Sequence, residues 1–523
     1  MTPPPPGRNA PCPCGSGRKY KHCCLVSARP SAYPQALQHY QRGELGPALQ
    51  VARQGLAAQP LDARLHVIAG LCLLQGSQPG AAEPHLRQAL QLDPRNVDAA
   101  LNLGVLLAGR GQADEAERCY RQGLQLDPAN VLGLLNLGDL LARDGRDGEA
   151  ERCFVAAVAA RPGFGGAHHA LAHLRAALGR RDEAEQGYRA ALQIDPGDLR
   201  SRYNLAVLLL ARGRYEEGWA LHEVRTTPGF PLRDTRPPPV SAPRWAGEPL
   251  AGRRLLVWPE QGLGDEIQFA RYLAARDWAP GAQVTLACRP ALLPLFAASG
   301  LADAVRASND PALREQRFDA WTYTMSLPWH AGTRLDSVPA ALPYLCAPAE
   351  RSAHWQARLQ ATDGGLRIGL VWKGAPGHAN DHHRSLPGLA ALRPLWQAAR
   401  PLRFISLQKG AGEDEARDPP PDQPLRHLGG EIADFADSAA IVAQLDLVIC
   451  VDTAIAHLAG ALGIPCWVLL PATDTDWRWL LERDDSPWYP GVLRLFRQRQ
   501  AGDWAEVIAR VRDALAALPP ARR

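Results

Sequence analysis

Four cysteines near the start of the chain have the types and spacing of a metal site. Cys12, Cys14, Cys23 and Cys24 lie within thirteen residues, in a segment too short and too polar to bury a core of its own. Four thiolates fit tetrahedral zinc, and metal binding supplies the folding energy that burial cannot. The spacing predicts a structural Zn²⁺ site. The alternatives are four free thiols, or His22 in place of one ligand.

A second group of residues follows an apolar run in the C-terminal half. Leu447–Val451 has the composition of a buried strand, and Asp452 and Thr453 separate it from a predicted helix that starts at Ala454. In parallel α/β sheets, ligands bind beyond the carboxyl ends of the strands, where a helix N-terminus presents N–H groups to phosphate. Asp452, Thr453 and His457 are expected to face such a crevice. The alternative is that Asp452 and Thr453 only cap the helix and His457 fills a turn.

A glycine-containing turn carries a further carboxylate. A predicted strand, 254–259, runs into Gly262 and Gly264, which permit a sharp turn, and Asp265 stands at the start of the next helix. Asp265 either caps that helix or presents its carboxylate to the cleft at the strand end.

Two more strand ends carry polar side chains that we expect to bind a substrate. Lysine as a point charge and arginine as a bidentate fork suit a diphosphate. For the first of these loops the alternative is a solvated surface. The residues are Lys373, Asn380, Asp381, Arg384 and Ser385 after the predicted strand Ile368–Trp372, and Gln408 and Lys409 after Phe404–Leu407.

A 34-residue period organises the chain before these strands. Small residues let paired helices approach, aromatic residues fill the gap between them, and a proline ends each second helix. The period predicts an all-α superhelix over residues 31–225, with about five and a half repeats and a concave surface for a protein or peptide partner. The recurring residues are Pro60, Pro94, Pro128, Pro162 and Pro196; Gly70, Gly104 and Gly138; Ala82, Ala116, Ala150 and Ala184; and Tyr120, Phe154 and Tyr188.

The rest of the chain alternates predicted strands with predicted helices. A Pro-rich linker, 226–250, precedes two parallel α/β domains at 251–350 and 365–518, and residues 410–424 are expected to form a mobile loop. Asp437 or Ser438 is expected to cap the helix before Leu447. The cluster of Trp and Arg residues within 476–498 is interpreted as closing a domain boundary, with the binding of a base as the alternative.

Composition limits the class of protein. The 523 residues carry a net charge of +4, which does not predict a nucleic-acid surface, and no stretch approaches the ~20 apolar residues that span a bilayer. The N-terminus lacks the apolar core of a signal peptide. We expect a cytoplasmic protein with no membrane insertion. The sequence leaves its oligomeric state open, although repeat arrays of this kind often self-associate.

The cysteine segment, residues 7–26, resembles the SEC-C zinc motif, which occurs at the C-terminus of the SecA translocation ATPase and on many other bacterial proteins. The resemblance rests on GRNAPCPCGSGRKYKHCC. It implies a closed zinc knuckle that contacts proteins and takes no part in catalysis. The periodic region resembles tetratricopeptide repeats.

The last ~265 residues resemble two-domain GT-B glycosyltransferases, made of two Rossmann-like domains, and in particular bacterial repeat proteins related to the lipopolysaccharide heptosyltransferases of glycosyltransferase family 9. The segments that carry this resemblance are EQGLGDEIQFARYL, GLVWKGAP with NDHHRS, SLQKG and VDTAIAHLAGALGIP. The resemblance implies that Asp452 to Ala461 cradles a nucleotide-sugar diphosphate, with Asp265 as general base and Lys373 as phosphate ligand. The domain order is also similar to that of O-GlcNAc transferase. The first α/β domain is short for the acceptor half of a GT-B enzyme.

These observations favour an inverting glycosyltransferase, of hexosyl or heptosyl type, that needs no cofactor for catalysis. Its donor would be a nucleotide-diphospho-sugar, and its acceptor a protein recruited by the repeats. The alternative is a non-catalytic scaffold with a degenerate GT-B domain. A third possibility, transfer to lipopolysaccharide or another small glycan, fits the repeats less well, because repeats imply a polypeptide ligand.

Overall fold

The computed structural model describes residues 9–11, 17, 19, 31–230, 235–359, 365–378 and 380–518. The chain divides into two compact units, Met1–Asp198 and Leu199–Arg523. The four predicted zinc ligands lie outside the described residues. Within those residues, every helix is too short or too polar to cross a membrane.

From Tyr33 onward the described part of the first unit is helical, and each helix packs against the next. The helices are α1 (Tyr33–Gln41), α2 (Leu45–Ala58), α3 (Ala63–Gln75), α4 (Pro79–Leu92), α5 (Val97–Gly109), α6 (Ala113–Leu126), α7 (Val131–Arg143), α8 (Asp147–Ala160), α9 (Gly165–Ala177) and α10 (Arg181–Ile194).

The repeat unit is defined locally by its caps and turns. Asn96 and Asn130, one period apart, accept backbone hydrogen bonds of 2.9 and 3.0 Å at the starts of α5 and α7. Gly111 and Gly145 turn the chain into the next helix with φ of 76° and 73°, a conformation that glycine adopts without strain. The same local signals, repeated every 34 residues, therefore produce the same helix pair.

Packing within two of the pairs confirms the predicted role of the small and aromatic residues. A Cβ atom added to Gly104 would lie 2.6 Å from Cε1 of Tyr120, and one added to Gly138 would lie 2.4 Å from Cε1 of Phe154. Both rings are buried. Each ring thus fills the space that the missing side chain leaves.

Ion pairs join consecutive repeats along their second helices. In each pair an arginine of one repeat meets a glutamate of the neighbouring repeat at 2.6 to 3.0 Å, and both side chains are partly exposed. We call this series the Arg–Glu ladder. It consists of Arg87–Glu115, Arg121–Glu149, Arg146–Glu117 and Arg180–Glu151.

The second unit begins with a helix pair, α11 (Leu199–Ala211) and α12 (Tyr215–His222). The sequence assigned this pair to the repeat array, and its fold is that of a repeat, but its contacts place it with the α/β part of the chain. A four-stranded parallel sheet and its helices follow. The elements are β1 (Arg254–Trp258), α13 (Leu263–Phe269), α14 (Arg271–Ala274), β2 (Gln283–Cys288), α15 (Leu293–Ser299), β3 (Ala304–Ala307), β4 (Ala320–Tyr323), α16 (Leu327–His330) and α17 (Ala349–Leu359). The strands lie in the order β3-β2-β1-β4.

A second sheet has six parallel strands. The elements are β5 (Leu366–Val371), α18 (Asp381–Arg384), β6 (Leu402–Ser406), α19 (Glu413–Arg417), β7 (Arg426–His427), α20 (Phe435–Val442), β8 (Leu447–Val451), α21 (Ala454–Ala461), β9 (Cys466–Leu470), β10 (Leu493–Arg497) and α22 (Trp504–Ala516). The strands lie in the order β10-β9-β8-β5-β6-β7. Strands β8 and β9 are buried along their whole length, as expected for central parallel strands covered on both faces.

Two local predictions were wrong. Asp434, rather than Asp437 or Ser438, caps α20, because its carboxylate accepts from the N–H groups of Ala436 and Asp437. Residues 410–424 are not wholly a loop, since α19 forms within them.

Candidate functional site

The start of α21 is the centre of the candidate site. Thr453 is the N-cap residue of this helix, but its side chain caps nothing, and its buried Oγ1 has no hydrogen-bond partner in the described chain. The first N–H groups of α21 thus follow directly on the carboxyl end of β8. A helix start of this kind can bind an anion.

Asp265 approaches α21 from the first sheet. Gly262 is the N-cap of α13, and its N–H donates to Asp265 Oδ2 at 2.6 Å. A Cβ on Gly264 would lie only 3.0 Å from Cδ2 of His457 and 3.3 Å from Cα of Ala454. Glycine at position 264 therefore allows the N-terminal ends of α13 and α21 to pack together, which brings Asp265 next to the candidate anion site.

Arg478 was not among the predicted site residues, and it links the groups of this region. It donates from Nη2 to Asp265 Oδ1 and from Nη1 to Asp476 Oδ2 at 2.8 Å, and its Nε donates to Gln268 Oε1 at 2.6 Å. Its side chain is only 8% exposed. The sole sequence signal was its place in the Trp and Arg cluster after β9.

The charged side chains near Arg478 shift one another's pKa values. Burial raises the pKa of Asp452 to about 6, and the carboxylate of Asp476 adds to the shift. Burial also acts to raise the pKa of Asp476, but the Arg478 guanidinium outweighs it and lowers that pKa. Of Asp452 and Asp476, Asp452 is therefore the carboxylate whose charge changes nearer to neutral pH.

His457 lies inside the packing around α21. It is buried, its Nδ1 is 3.0 Å from the hydroxyl of Tyr489, and its ring stacks on Trp479 with centroids 5.2 Å apart. Burial, assisted by the positive charge of Arg478, lowers its pKa to about 3. His457 is neutral at physiological pH and helps to fix α21.

The loop after β5 holds Lys373 and the predicted polar residues. Lys373 Nζ is 3.3 Å from Glu415 Oε1 on α19. Asn380 donates to the carbonyl of Asp474, in the loop after β9, at 2.8 Å, while its buried Oδ1 has no partner among the described residues. The loops after β5 and β9 thus meet beside Asp476 and Arg478.

Asp381, Arg384 and Ser385 stabilise the same loop. Asp381 Oδ1 accepts from the Ser385 hydroxyl at 2.9 Å and lies 3.4 Å from Arg384 Nε. Ser385 in turn accepts from the N–H of Gly374 at 2.9 Å. Arg384 is partly buried, and its charge acts on both Asp452 and His378. Of these three residues, Arg384 is the one with charge to offer an anion.

The side chains of Gln408 and Lys409 form hydrogen bonds with backbone groups of the protein. Gln408 is buried; its Oε1 accepts from the N–H groups of Trp372 and Lys373 at 2.9 and 3.0 Å, and its Nε2 donates to two carbonyls. Its amide therefore has little left for a ligand. Lys409 donates to the carbonyl of Ile432.

The metal prediction concerns residues beyond this cluster. Cys12, Cys14, Cys23 and Cys24 lie outside the described ranges. Within those ranges, no group of three or more His, Cys, Asp or Glu side chains could hold a metal ion.

Comparison with known families identifies the N-terminal modules. The SEC-C motif matches residues 8–25, and two tetratricopeptide-repeat families match residues 33–97, 73–135 and 175–219. Protein FlbA of Caulobacter vibrioides is 31% identical over 323 residues, which cover 57% of this chain and 52% of FlbA. This chain therefore spans about half the length of that relative. SecA of Halothermothrix orenii is 82% identical over 24 residues, 5% of this chain and 3% of SecA.

Solved structures of repeat proteins resemble about a third of the chain. YrrB, described as a TPR protein with an unusual peptide-binding site, is 21% identical, with a TM-score of 0.30, over 35% of this chain and 94% of YrrB. A thermophilic TPR protein of Thermus thermophilus is 24% identical, also with a TM-score of 0.30, over 34% of this chain and 97% of its own. The family matches show that this chain contains a SEC-C motif and tetratricopeptide repeats. In the described structure, a region with two parallel sheets follows them.

Proposed function

We propose that this protein is a cytoplasmic glycosyltransferase that moves a sugar from a nucleotide-diphospho-sugar to a protein recruited by its repeats. The two parallel sheets would form the two halves of a GT-B enzyme. One observation supports this above all: Asp265, after the first strand of the first sheet, pairs with Arg478 of the second, and the neighbouring Gly264 packs on Ala454 at the start of α21. A proton acceptor and an anion site, carried by different sheets, are what such a transfer needs.

The donor would bind at the start of α21. The N–H groups of Thr453 and Ala454, with the cations of Lys373 and Arg384, would neutralise the diphosphate without requiring a metal. Thr453 Oγ1, Asn380 Oδ1 and Gln268 Nε2 are buried and have no partner in the described chain. Polar atoms left this way are costly unless a ligand or water satisfies them, and the hydroxyls of a ribose and a sugar would do so.

Transfer would follow an inverting course. The acceptor oxygen attacks the anomeric carbon from the face opposite the diphosphate, Asp265 takes the acceptor proton, and the bond from carbon to the diphosphate oxygen breaks. The cations and the helix N-terminus stabilise the nucleoside diphosphate as it leaves. In the observed conformation both oxygens of Asp265 are occupied. A donor phosphate that attracts Arg478 would release one of them for this role.

A scaffold without catalysis is the second candidate. Gly264 packs directly on Ala454 and His457, and Lys373 already pairs with Glu415, so part of the proposed donor site is occupied by the protein itself. The repeats also suggest a role in protein interaction, independently of any enzyme activity.

Calorimetric binding with a panel of UDP-, GDP-, ADP- and dTDP-sugars distinguishes the two. We expect one class to bind, and the double variant Lys373→Ala, Arg384→Ala, which removes both proposed cations, to lose that binding. Arg393→Ala removes an arginine from the exposed Arg393–Asp422 pair and serves as the charge control. If the folded protein binds no member of the panel, the glycosyltransferase proposal is refuted and the scaffold proposal is retained.

A further inference from the structure

The helix pair α11–α12 is joined to the α/β part through a buried contact surface. Trp219 is 1% exposed, and its ring meets those of Phe269, Trp477 and Trp488 edge-on at 5.2 to 6.5 Å. Trp488 also donates from its indole N–H to the hydroxyl of Tyr215 at 3.0 Å. Such packing is that of a protein core rather than of a mobile linker.

A buried ion pair fixes the end of this helix pair to the turn that carries Asp265. Arg225 donates to both oxygens of Glu260 at 2.7 and 2.9 Å, and neither side chain is exposed. Glu260 also accepts from the N–H of Met325 at 3.0 Å. Since Glu260 lies two residues before Gly262, the turn and the last helix pair are held in one arrangement.

Two partly exposed aromatic rings lie against each other near the turn that contains Arg478. Tyr203 on α11 and Phe230 have ring centroids 5.2 Å apart, and the buried ring of His222 lies 5.7 Å from that of Tyr203. The helix α11 packs on the turn Trp477–Trp479, which contains Arg478. Burial raises the pKa of Tyr203, and the charges of Asp476, Arg478, Arg225 and Asp265 also act on it.

Two buried polar atoms near these rings have no hydrogen-bond partner in the described chain. His222 Nδ1 and Trp219 Nε1 are buried and make no hydrogen bond in the described chain, and each residue is at most 2% exposed. An apolar wall with buried, unsatisfied donors and acceptors behind it is typical of a ligand site.

Resting on the proposed function, we propose that the last helix pair supplies the acceptor side of the site. Tyr203 and Phe230 form a subsite for an apolar or aromatic side chain of a polypeptide, whose neighbouring hydroxyl reaches Asp265. This accounts for the short first α/β domain, because α11 and α12 add the surface that the domain lacks. The occupant is a polypeptide because Tyr203 has the same repeat position as Leu135 and His169, at steps of 34 residues, and repeats of this kind bind protein segments.

The test uses the full-length chain, the radiolabelled sugar donor selected by the panel, and synthetic nonapeptides with a central Ser or Thr flanked by Phe, Ala, Lys or Glu. We expect Tyr203→Ala to raise KM for the Phe-flanked peptides about tenfold, equivalent to about 1.4 kcal/mol. Tyr203→Phe should stay within about twofold of the wild type, because the ring remains. The Kd for donor and the hydrolysis of donor without peptide should not change.

Trp329→Ala is the matched control, since Trp329 is a 39% exposed aromatic residue of the same unit. Equal loss of kcat for all peptides, a change in donor hydrolysis, or an unchanged KM in Tyr203→Ala would overturn the subsite. So would donor binding with no transfer to any peptide. Failure to bind any donor would instead refute the proposed function, so the two failures are distinct.

Discussion

Arg478 and Asp265 form an ion pair although 213 residues separate them in the sequence. This pair connects the loop after β9 to the turn after β1. The pair joins the two parallel sheets at the point where the proposed base and the proposed anion site meet. A guanidinium shared between Asp265 and Asp476 keeps both carboxylates in place. The predictions that follow depend on this pairing or on the packing that surrounds it.

Asp265→Asn should abolish transfer. The amide keeps the size of the side chain but cannot take a proton, so we expect turnover to fall by about 10²- to 10⁴-fold with the donor Kd unchanged. Transfer of labelled sugar and calorimetry measure the two quantities. Asp336→Asn, at an exposed position, is the control. Turnover at the wild-type rate in Asp265→Asn would rule out this base.

Arg478→Met should destabilise the second unit. It removes the positive charge between two carboxylates in a nearly buried site, a change that costs about 3–5 kcal/mol. Urea unfolding followed by tryptophan fluorescence measures the loss. Adding Asp265→Asn and Asp476→Asn to this variant should restore part of the stability, because no unpaired charge then remains. A triple variant no more stable than Arg478→Met would contradict an electrostatic cause.

Donor binding should weaken as the pH rises through about 6. Asp452 is neutral below its raised pKa of about 6 and ionised above it, where it repels the diphosphate. The dependence should be at most about tenfold per pH unit. The same shift makes the folded state hold its proton more tightly than the unfolded state, so this group's contribution to stability is full below about pH 4 and is lost as the pH rises through about 6. Calorimetry from about pH 5 to 8 tests the binding, and Asp452→Asn should flatten the profile.

Gly138→Ala should destabilise the repeats by about 1–3 kcal/mol. Its new methyl group would overlap the ring of Phe154, and overpacking of a core has this cost. Gly109→Ala is the matched control, because the space around its Cβ position is open, and it should be neutral or stabilising by up to about 1 kcal/mol. Thermal unfolding by circular dichroism compares the two. Adding Phe154→Leu should relieve part of the clash in Gly138→Ala.

The N-terminal segment should bind about one zinc ion per chain. Elemental analysis of the purified protein measures the metal, and a Cys23→Ser, Cys24→Ser variant should lose it. Cys346→Ser, which removes an exposed thiol elsewhere, should keep it. Zinc retained by the double variant would place the metal on other ligands.

Sequence patterns predicted the local elements well because their causes are local. The 34-residue period indicated the repeats, and the bounds of β8 coincide with Leu447–Val451, the apolar run that predicted it. The pairing of Arg478 with Asp265 had no local signal, since the two residues approach only when the sheets assemble. The cap at Asp434 was missed because several Asp and Ser residues compete within one turn, and only the folded backbone selects among them.

The Arg–Glu ladder gives the repeat array a property that its apolar packing does not. Exposed ion pairs weaken as salt screens their charges, whereas the contacts of Gly138 with Phe154 do not. The interfaces between repeats would thus soften at high ionic strength while each repeat stays intact. The flexibility of the array would then depend on the ionic strength of the solution. A partner that requires a bent array would bind with an affinity that varies with salt.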